Sequence, residues 1–315
     1  MKNNIALLKN AILTSERILI LTHSSPDGDA LGSVAALKQI IGKLGKEADC
    51  LLEELCPARF PHLQKYFSVK EVADEKYDLV ILADCADKQR TGVRYLPPNN
   101  LCFFDHHISN PKEGQINVVN PDAAATCEMV YDLMEEWNIP CDGEIAAAIY
   151  TGILTDTGGF LFQNTTRKTH EIVADLLNYS FDRNSIVRIS FQEKSLTYSK
   201  LYAHLFESLS HSKEHSTVIG FIDYATYTAL GATTDDTDGL SAALRNISEV
   251  ECAILLTERE KGFIKGSVRS NDRYNANELA NLFGGGGHMR AAGFKTTLSY
   301  QEIKDKIYEW LSTHQ

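Results

Sequence analysis

The segment Ile18-Leu19-Ile20-Leu21-Thr22-His23-Ser24-Ser25-Pro26-Asp27-Gly28-Asp29 joins a short apolar run to one His and two Asp within seven residues. Residues 17–22 read as a strand apolar on both faces, and the pattern from Ala30 to about Leu44, ending at Gly45, reads as a helix. The ligand-type residues therefore occupy the loop of a strand-loop-helix unit. A His and two carboxylates leaving a buried strand offer nitrogen and oxygen to divalent cations such as Mn²⁺, Mg²⁺ or Zn²⁺. Taken alone, Pro-Asp-Gly-Asp is equally a turn with solvated carboxylates, so the rest of the chain decides.

Working outward, strands are predicted at 47–52, 77–83 and 101–104, with helices at 122–137 and 143–154. Short apolar strands alternating with helices predict an α/β domain with a mainly parallel sheet, whose ligand sites lie beyond the strand carboxyl ends. Asp84 follows Val80-Ile81-Leu82-Ala83, and Asp105-His106-His107 follows Leu101-Cys102-Phe103-Phe104. Three strand ends thus carry ligand-type residues. Asp156, before Thr157-Gly158-Gly159 at a helix end, is a fourth candidate. An amphipathic helical stretch at 182–212 reads as a connector between an N-terminal domain, 1–181, and a smaller C-terminal α/β domain, 213–315. The latter is predicted to hold strands at 217–222, 252–257 and 262–270 and helices at 240–247 and 300–311.

At 315 residues the chain is long for one core and comfortable for two. With 31 Lys and Arg against 42 Asp and Glu, its formal charge of -11 disfavours holding a long polyanion through phosphate neutralisation. Any nucleic acid partner should be short. Seven scattered cysteines without a C-x-x-C pair argue against a disulfide framework or a zinc ribbon and for a reducing cytoplasm. Ile5, Leu7, Leu8, Ile12 and Leu13, broken by Lys9 and Asn10, follow a helical period and not a signal-peptide core. No run is long enough to span a bilayer, so no membrane partner is expected.

Together, His23, Asp27, Asp29, Asp84, Asp105-His106-His107 and Asp156 resemble the four motifs of the DHH phosphoesterase superfamily. Ser267-Val268-Arg269-Ser270 and the Gly-Gly-Gly-His-x-x-Ala-Ala-Gly-Phe segment ending at Phe294 resemble the DHHA1 domain. A chain of this length without added modules is most similar to the nanoRNase / pAp phosphatase group of bacterial oligoribonucleases. The resemblance implies an active site in the cleft between the two domains and two divalent ions, Mn²⁺ foremost with Mg²⁺ as the alternative. One ion would be held by His23, Asp27 and Asp84, the other by Asp29, Asp84, His106 and Asp156. Gly28 would let the backbone bend so that Asp27 and Asp29 serve adjacent ions. A shared Asp84 suits ions about 3.5–4 Å apart.

The same resemblance implies that His107 faces the substrate phosphate as charge stabiliser or acid, and that Asp105 orients a metal-bound His by accepting its second N–H. In the C-terminal domain, glycines 284–287 are expected to turn their amides toward an anion as a nest, with Gly285, Gly286 and Gly287 at its centre. His288 and Arg290 would complete the pocket, and Arg269 shares a strand face with Ser267. An aromatic such as Phe283 or Tyr274 would stack a base. The implied activity is hydrolysis of short oligoribonucleotides from one end and of the 3′-phosphate of 3′,5′-bisphosphoadenosine (pAp). The alternatives are a phosphodiesterase for cyclic di-AMP or pApA and a non-catalytic nucleotide sensor. A homodimer is compatible with the resemblance, although no patch of the sequence marks one.

Overall fold

The computed structural model describes residues 2–73 and 76–314, and its contacts divide the chain into Met1–Glu193 and Lys194–Gln315. The first unit runs α1 (Lys2–Thr14), β1 (Ile18–Leu21), α2 (Gly28–Lys43), β2 (Ala48–Leu52), β3 (Ser68–Val69), β4 (Val72–Ala73), β5 (Leu79–Ala83), β6 (Arg94–Tyr95), β7 (Asn100–Asp105), β8 (Ile116–Val119), α3 (Thr126–Glu136), α4 (Gly143–Asp156), α5 (Arg167–Leu176) and α6 (Arg183–Val187). Its main sheet, ordered β3-β2-β1-β5-β7-β8, is parallel throughout, as predicted.

Four residues suffice for β1 because both of its faces are covered: Ile18 and Ile20 enter one hydrophobic cluster, Leu19 and Leu21 the other. From β1 the chain moves to β2 and β3 on one side and returns to β5, β7 and β8 on the other. Strand order therefore reverses between β1 and β5, where open parallel sheets bind ligands. Neither β8 nor α5 is predicted above. The first is a four-residue edge strand interrupted by Asn117, and the second gains its start from a capping box between Thr166 and Thr169.

Helices α2 and α4 pack through glycines. A Cβ on Gly32 would run into the Ala148 carbonyl oxygen, and one on Gly152 into Cys127 Sγ. Gly28 belongs to this set. It adopts ordinary helical backbone at the first position of α2, and a Cβ there would strike the Thr155 side chain. The bend expected at Gly28 is therefore not its role. It lets the C-terminal end of α4 come close.

The second unit contains α7 (Leu196–Glu207), β9 (Ser210–Ser212), β10 (Thr217–Ile222), α8 (Tyr224–Ala229), α9 (Leu240–Arg245), β11 (Cys252–Glu260), β12 (Phe263–Ser270), α10 (Ala276–Asn281), β13 (Gly286–His288), β14 (Ala291–Thr296) and α11 (Tyr300–Thr313). The stretch 182–212 is accordingly several elements: α6 and a π turn at Arg188–Gln192 lie in the first unit, α7 and β9 in the second. The sheet order is β13-β14-β12-β11-β10-β9, with only β10 and β11 parallel. One face packs Ile254, Ile264, Val268 and Phe294 against Leu279, Ile303, Ile307 and Leu311. On the other, Leu201, Leu205, Leu240 and Leu244 pack with Val218 and Ile222 of β10 and Ala253 and Leu255 of β11. Tyr274 is buried beside Trp310, and Phe283 stacks on Phe294 at 4.3 Å, so both aromatics expected to stack a base are engaged within the protein. Among the described residues, no helix is long and apolar enough to cross a membrane.

The glycine-mediated crossing is testable. Gly32→Ala should lower the stability of the first unit by about 1–3 kcal/mol in urea unfolding, because a rigid backbone carbonyl opposes the added methyl. An unchanged transition would show that α2 and α4 slide apart freely.

Candidate functional site

His23 lies two residues beyond β1. Its Nδ1 is 2.8 Å from the Ser24 carbonyl oxygen, which can only accept, so Nδ1 carries a hydrogen and the lone pair of the neutral ring is the one on Nε2. Nε2 lies 3.9 Å from Asp84 Oδ2. Asp27 caps α2, its Oδ1 accepting the Asp29 and Ala30 amides, each at 3.0 Å. Asp29, on the first turn of α2, is 1% exposed and accepts from Thr126 N at 2.6 Å and Cys127 N at 2.9 Å. Helix α3 has Ala125 at its N-cap and no side-chain cap of its own, so Asp29 serves its orphan amides from another helix.

Asp84 follows β5 directly, at φ 52°, a left-handed conformation that costs a non-glycine residue of order 1–3 kcal/mol. Its amide donates to the Phe104 carbonyl, and its Oδ1 accepts the Thr126 hydroxyl at 2.9 Å. Three imidazoles surround it: His23, His106 Nε2 at 3.7 Å and His107 Nδ1 at 3.5 Å. His106 repeats the logic of His23. Its Nδ1 is held by the Ala123 carbonyl at 3.1 Å, and its Nε2 looks toward Asp84 and, at 3.5 Å, Asp156 Oδ2.

Ligand atoms of His23, Asp27 and Asp84 lie within 4.8 Å of one another, as do those of Asp29, His106 and Asp156, and those of Asp84, His106 and His107. The electrostatics show what this convergence costs without a counter-charge. Burial, then Asp84, Asp156 and Asp27, push the Asp29 carboxyl well above its usual range. Burial and Asp27 raise Asp84, against the pull of His106 and His107. Burial, opposed by His106 and reinforced by Asp84 and Asp27, raises Asp156 to about 6. Crowded carboxylates with two imidazole lone pairs turned among them fit a divalent cation.

Asp105, fully buried, has a different task. Its Oδ1 accepts His107 Nδ1 at 2.8 Å and the His107 amide at 3.2 Å, while Oδ2 accepts Asn110 Nδ2 at 2.7 Å. Burial alone would raise this carboxyl, but the donors from His107 and Asn110 outweigh it and hold it low. The Asp105 hydrogen bond, against the opposing effect of burial, lifts His107 to about 9. Asp105 therefore orients His107 and neither His23 nor His106, whose Nδ1 atoms are held by backbone carbonyls. Thr126, which touches both Asp29 and Asp84, escaped the sequence reading because it belongs to no ligand-type spacing.

In the second unit, register places Arg269, Ala291 and His288 in one row across β12, β14 and β13, and Ser267, Gly293 and Gly286 in the next. These rows share a face, so Arg269, His288 and Ser267 surround a floor of small residues. Lys265 stands directly opposite Lys295 in the following row. Burial, then Arg259, Lys295 and Arg269, push Lys265 down, and burial with Arg245 does the same to Arg269. The face thus carries a surplus of positive charge, which Asp238 offsets in part at both residues. The glycine run forms no amide nest: the Gly284 and Gly285 amides donate to helix α10 carbonyls, and that of Gly287 to Asn277 Oδ1. Gly285 and Gly287 are bare because β14 lies against them, where a Cβ would strike Phe294 and Ala291 respectively. Arg290 pairs with Asp272 at 2.6 Å.

The family model described as DHH family, N-terminal domain, matches residues 17–153, and that of the DHHA1 domain matches residues 221–313. A bifunctional oligoribonuclease and PAP phosphatase NrnA from Thermus thermophilus is 33% identical over 298 residues, spanning 93% of this chain and 87% of that protein. The protein of the same name from Bacillus subtilis is 31% identical over 306 residues, spanning 95% and 94%. The solved structure of an exopolyphosphatase-related protein from Bacteroides fragilis shares the fold, with a TM-score of 0.89 at 23% identity over 99% of this chain and 96% of that one.

The carboxylate cluster predicts a pH dependence for the chelator-treated protein. In the unfolded chain Asp156 titrates near 3.8, in the fold near 6, so between these values the folded state binds more protons and stability falls as pH rises. The melting temperature should therefore drop between about pH 4 and about pH 6, and Asp156→Asn should flatten the drop. A melting temperature that climbs over this window would contradict the reading.

Proposed function

The chain belongs to the DHH family of phosphoesterases, and from that premise we propose that it is a metal-dependent hydrolase of short oligoribonucleotides and of the 3′-phosphate of pAp. The observation that carries the proposal is the placement of Asp84, an ionisable group in a strained backbone conformation encircled by His23, His106 and His107. The relatives named for oligoribonuclease and PAP phosphatase activity, which align over nearly the whole chain, support the choice of substrate.

In this reading two divalent ions are held, one by His23, Asp27 and Asp84, the other by Asp29, Asp84, His106 and Asp156. The imidazole ligands favour Mn²⁺ over Mg²⁺. When bound, the ions supply Lewis acidity to water and phosphate. The Asp105 hydrogen bond favours the charged form of His107, and because Asp105 holds its Nδ1, the proton it would deliver to the leaving oxygen sits on Nε2. Asn110 and the His107 amide keep Asp105 ionised for that purpose. Arg269, His288 and Ser267 bind the terminal phosphate of the substrate over the floor of Ala291, Gly293 and Gly286, with Lys265 and Lys295 adding charge. A local positive face on a protein of charge -11 suits a short anion better than a long one. Cytosol is the compartment that agrees with seven unpaired cysteines.

A Mn²⁺-supplemented assay comparing a short RNA ladder, pAp, pApA and cyclic di-AMP tests the proposal. Turnover of the first two should dominate, and preference for cyclic di-AMP would reassign the substrate. His107→Ala should lower kcat roughly 100- to 10,000-fold with metal content unchanged; loss of bound metal would make His107 a ligand instead. Arg269→Ala should raise KM for phosphorylated substrates while leaving kcat near wild type, and an unchanged KM would place phosphate recognition elsewhere.

A further inference from the structure

We propose that Thr126 is a positioning residue that sets the carboxylates of Asp29 and Asp84 relative to each other, and that cation affinity depends on its hydroxyl. The inference rests on reading the cluster as a metal centre. Thr126 is 0% exposed. Its amide donates to Asp29 Oδ2 at 2.6 Å, and its hydroxyl donates to Asp84 Oδ1 at 2.9 Å. One residue thereby ties together two carboxylates that lie 97 and 42 positions away in the sequence.

The surrounding backbone makes the same connection to the other ligands. The Cys127 amide donates to Asp29 Oδ1, the Ala123 carbonyl accepts His106 Nδ1, and the Ala124 carbonyl accepts the Asn164 side-chain amide, which also reaches the Asp156 carbonyl at 3.1 Å. Residues 123–127 therefore brace Asp29, Asp84, His106 and, through Asn164, Asp156. Within this segment the Thr126 hydroxyl reaches a ligand carboxylate directly, and substitution can remove it without touching the backbone. A carboxylate has about four lone-pair sites, so the bond from Thr126 leaves Asp84 free to serve cations. It also holds that carboxylate where left-handed backbone would otherwise be costly to maintain. Once His23 and His106 turn their Nε2 lone pairs to cations, the Thr126 hydroxyl still restrains Asp84.

Thr126→Val keeps the shape and removes the donor; Thr126→Ser restores the donor. Titration of chelator-stripped protein with Mn²⁺ in a calorimeter should show the Val variant binding about 10- to 100-fold more weakly, with Ser close to wild type, while without metal the Val variant, having lost a buried donor to Asp84, melts below the other two. Wild-type affinity in Thr126→Val would overturn the inference. If the Val variant does not fold, equal Mn²⁺ affinity of Thr126→Ala and Thr126→Ser overturns it instead. Failure of the wild-type protein to bind Mn²⁺ would sink the underlying metal-centre reading, an outcome distinct from either of these.

Discussion

Mutual repulsion among Asp27, Asp29, Asp84 and Asp156 is the constraint around which the first unit is built. Three of these carboxyls are pushed upward by burial and by one another, and a folded chain with such a cluster gives up stability that its core must supply. The fold limits that cost with donors of fixed position. Asp27 sits on the amides that open α2, Asp29 on those that open α3, and Asp84 on a threonine hydroxyl. Helix N-termini are suitable partners because their dipoles favour negative charge without neutralising it through a proton. Cations bound to the cluster would complete the compensation that the amides begin.

Bringing Asp156 to the other three requires a helix to end where a strand loop begins, and side chains would forbid it. Gly28, Gly32 and Gly152 clear the path at successive points of the α2–α4 crossing. Gly152 also leaves room for Asp29, since a Cβ there would press on its Oδ1. The same residues that look like helix breakers in a propensity scale thus determine how near two ligand-bearing elements approach.

Much of this was legible in the sequence because the parallel-sheet rule converts an apolar run followed by Asp or His into a position in space. Leu21, Ala83 and Asp105 end neighbouring strands, so residues after them meet. What remained hidden depends on contacts far along the chain. Thr126 matters because α3 lacks a cap of its own and borrows one from Asp29, a fact absent from any local pattern. The glycine run reads as an anion-binding nest until its partners are known: Gly284 and Gly285 give their amides to α10, and Gly286 and Gly287 enter β13 beside β14, with the Gly287 amide on Asn277. Phe283 and Tyr274 looked available for bases because burial cannot be read at single aromatic positions.

The adjacent pair His106-His107 shows most directly how backbone geometry assigns chemistry. Both rings belong to the same residue type and lie near Asp84, so residue type and proximity alone give them equal claims. The partner of Nδ1 separates them. A carbonyl on His106 demands a hydrogen there and makes Nε2 the lone-pair nitrogen of the neutral ring; a buried carboxylate on His107 stabilises the doubly protonated ring and leaves Nε2 as an acid. Exchanging the two partners would exchange the roles. Asn110 matters for that reason, since by occupying the second oxygen of Asp105 it keeps that carboxylate charged and beside His107, and a base-like ring two bonds along the chain remains a proton donor.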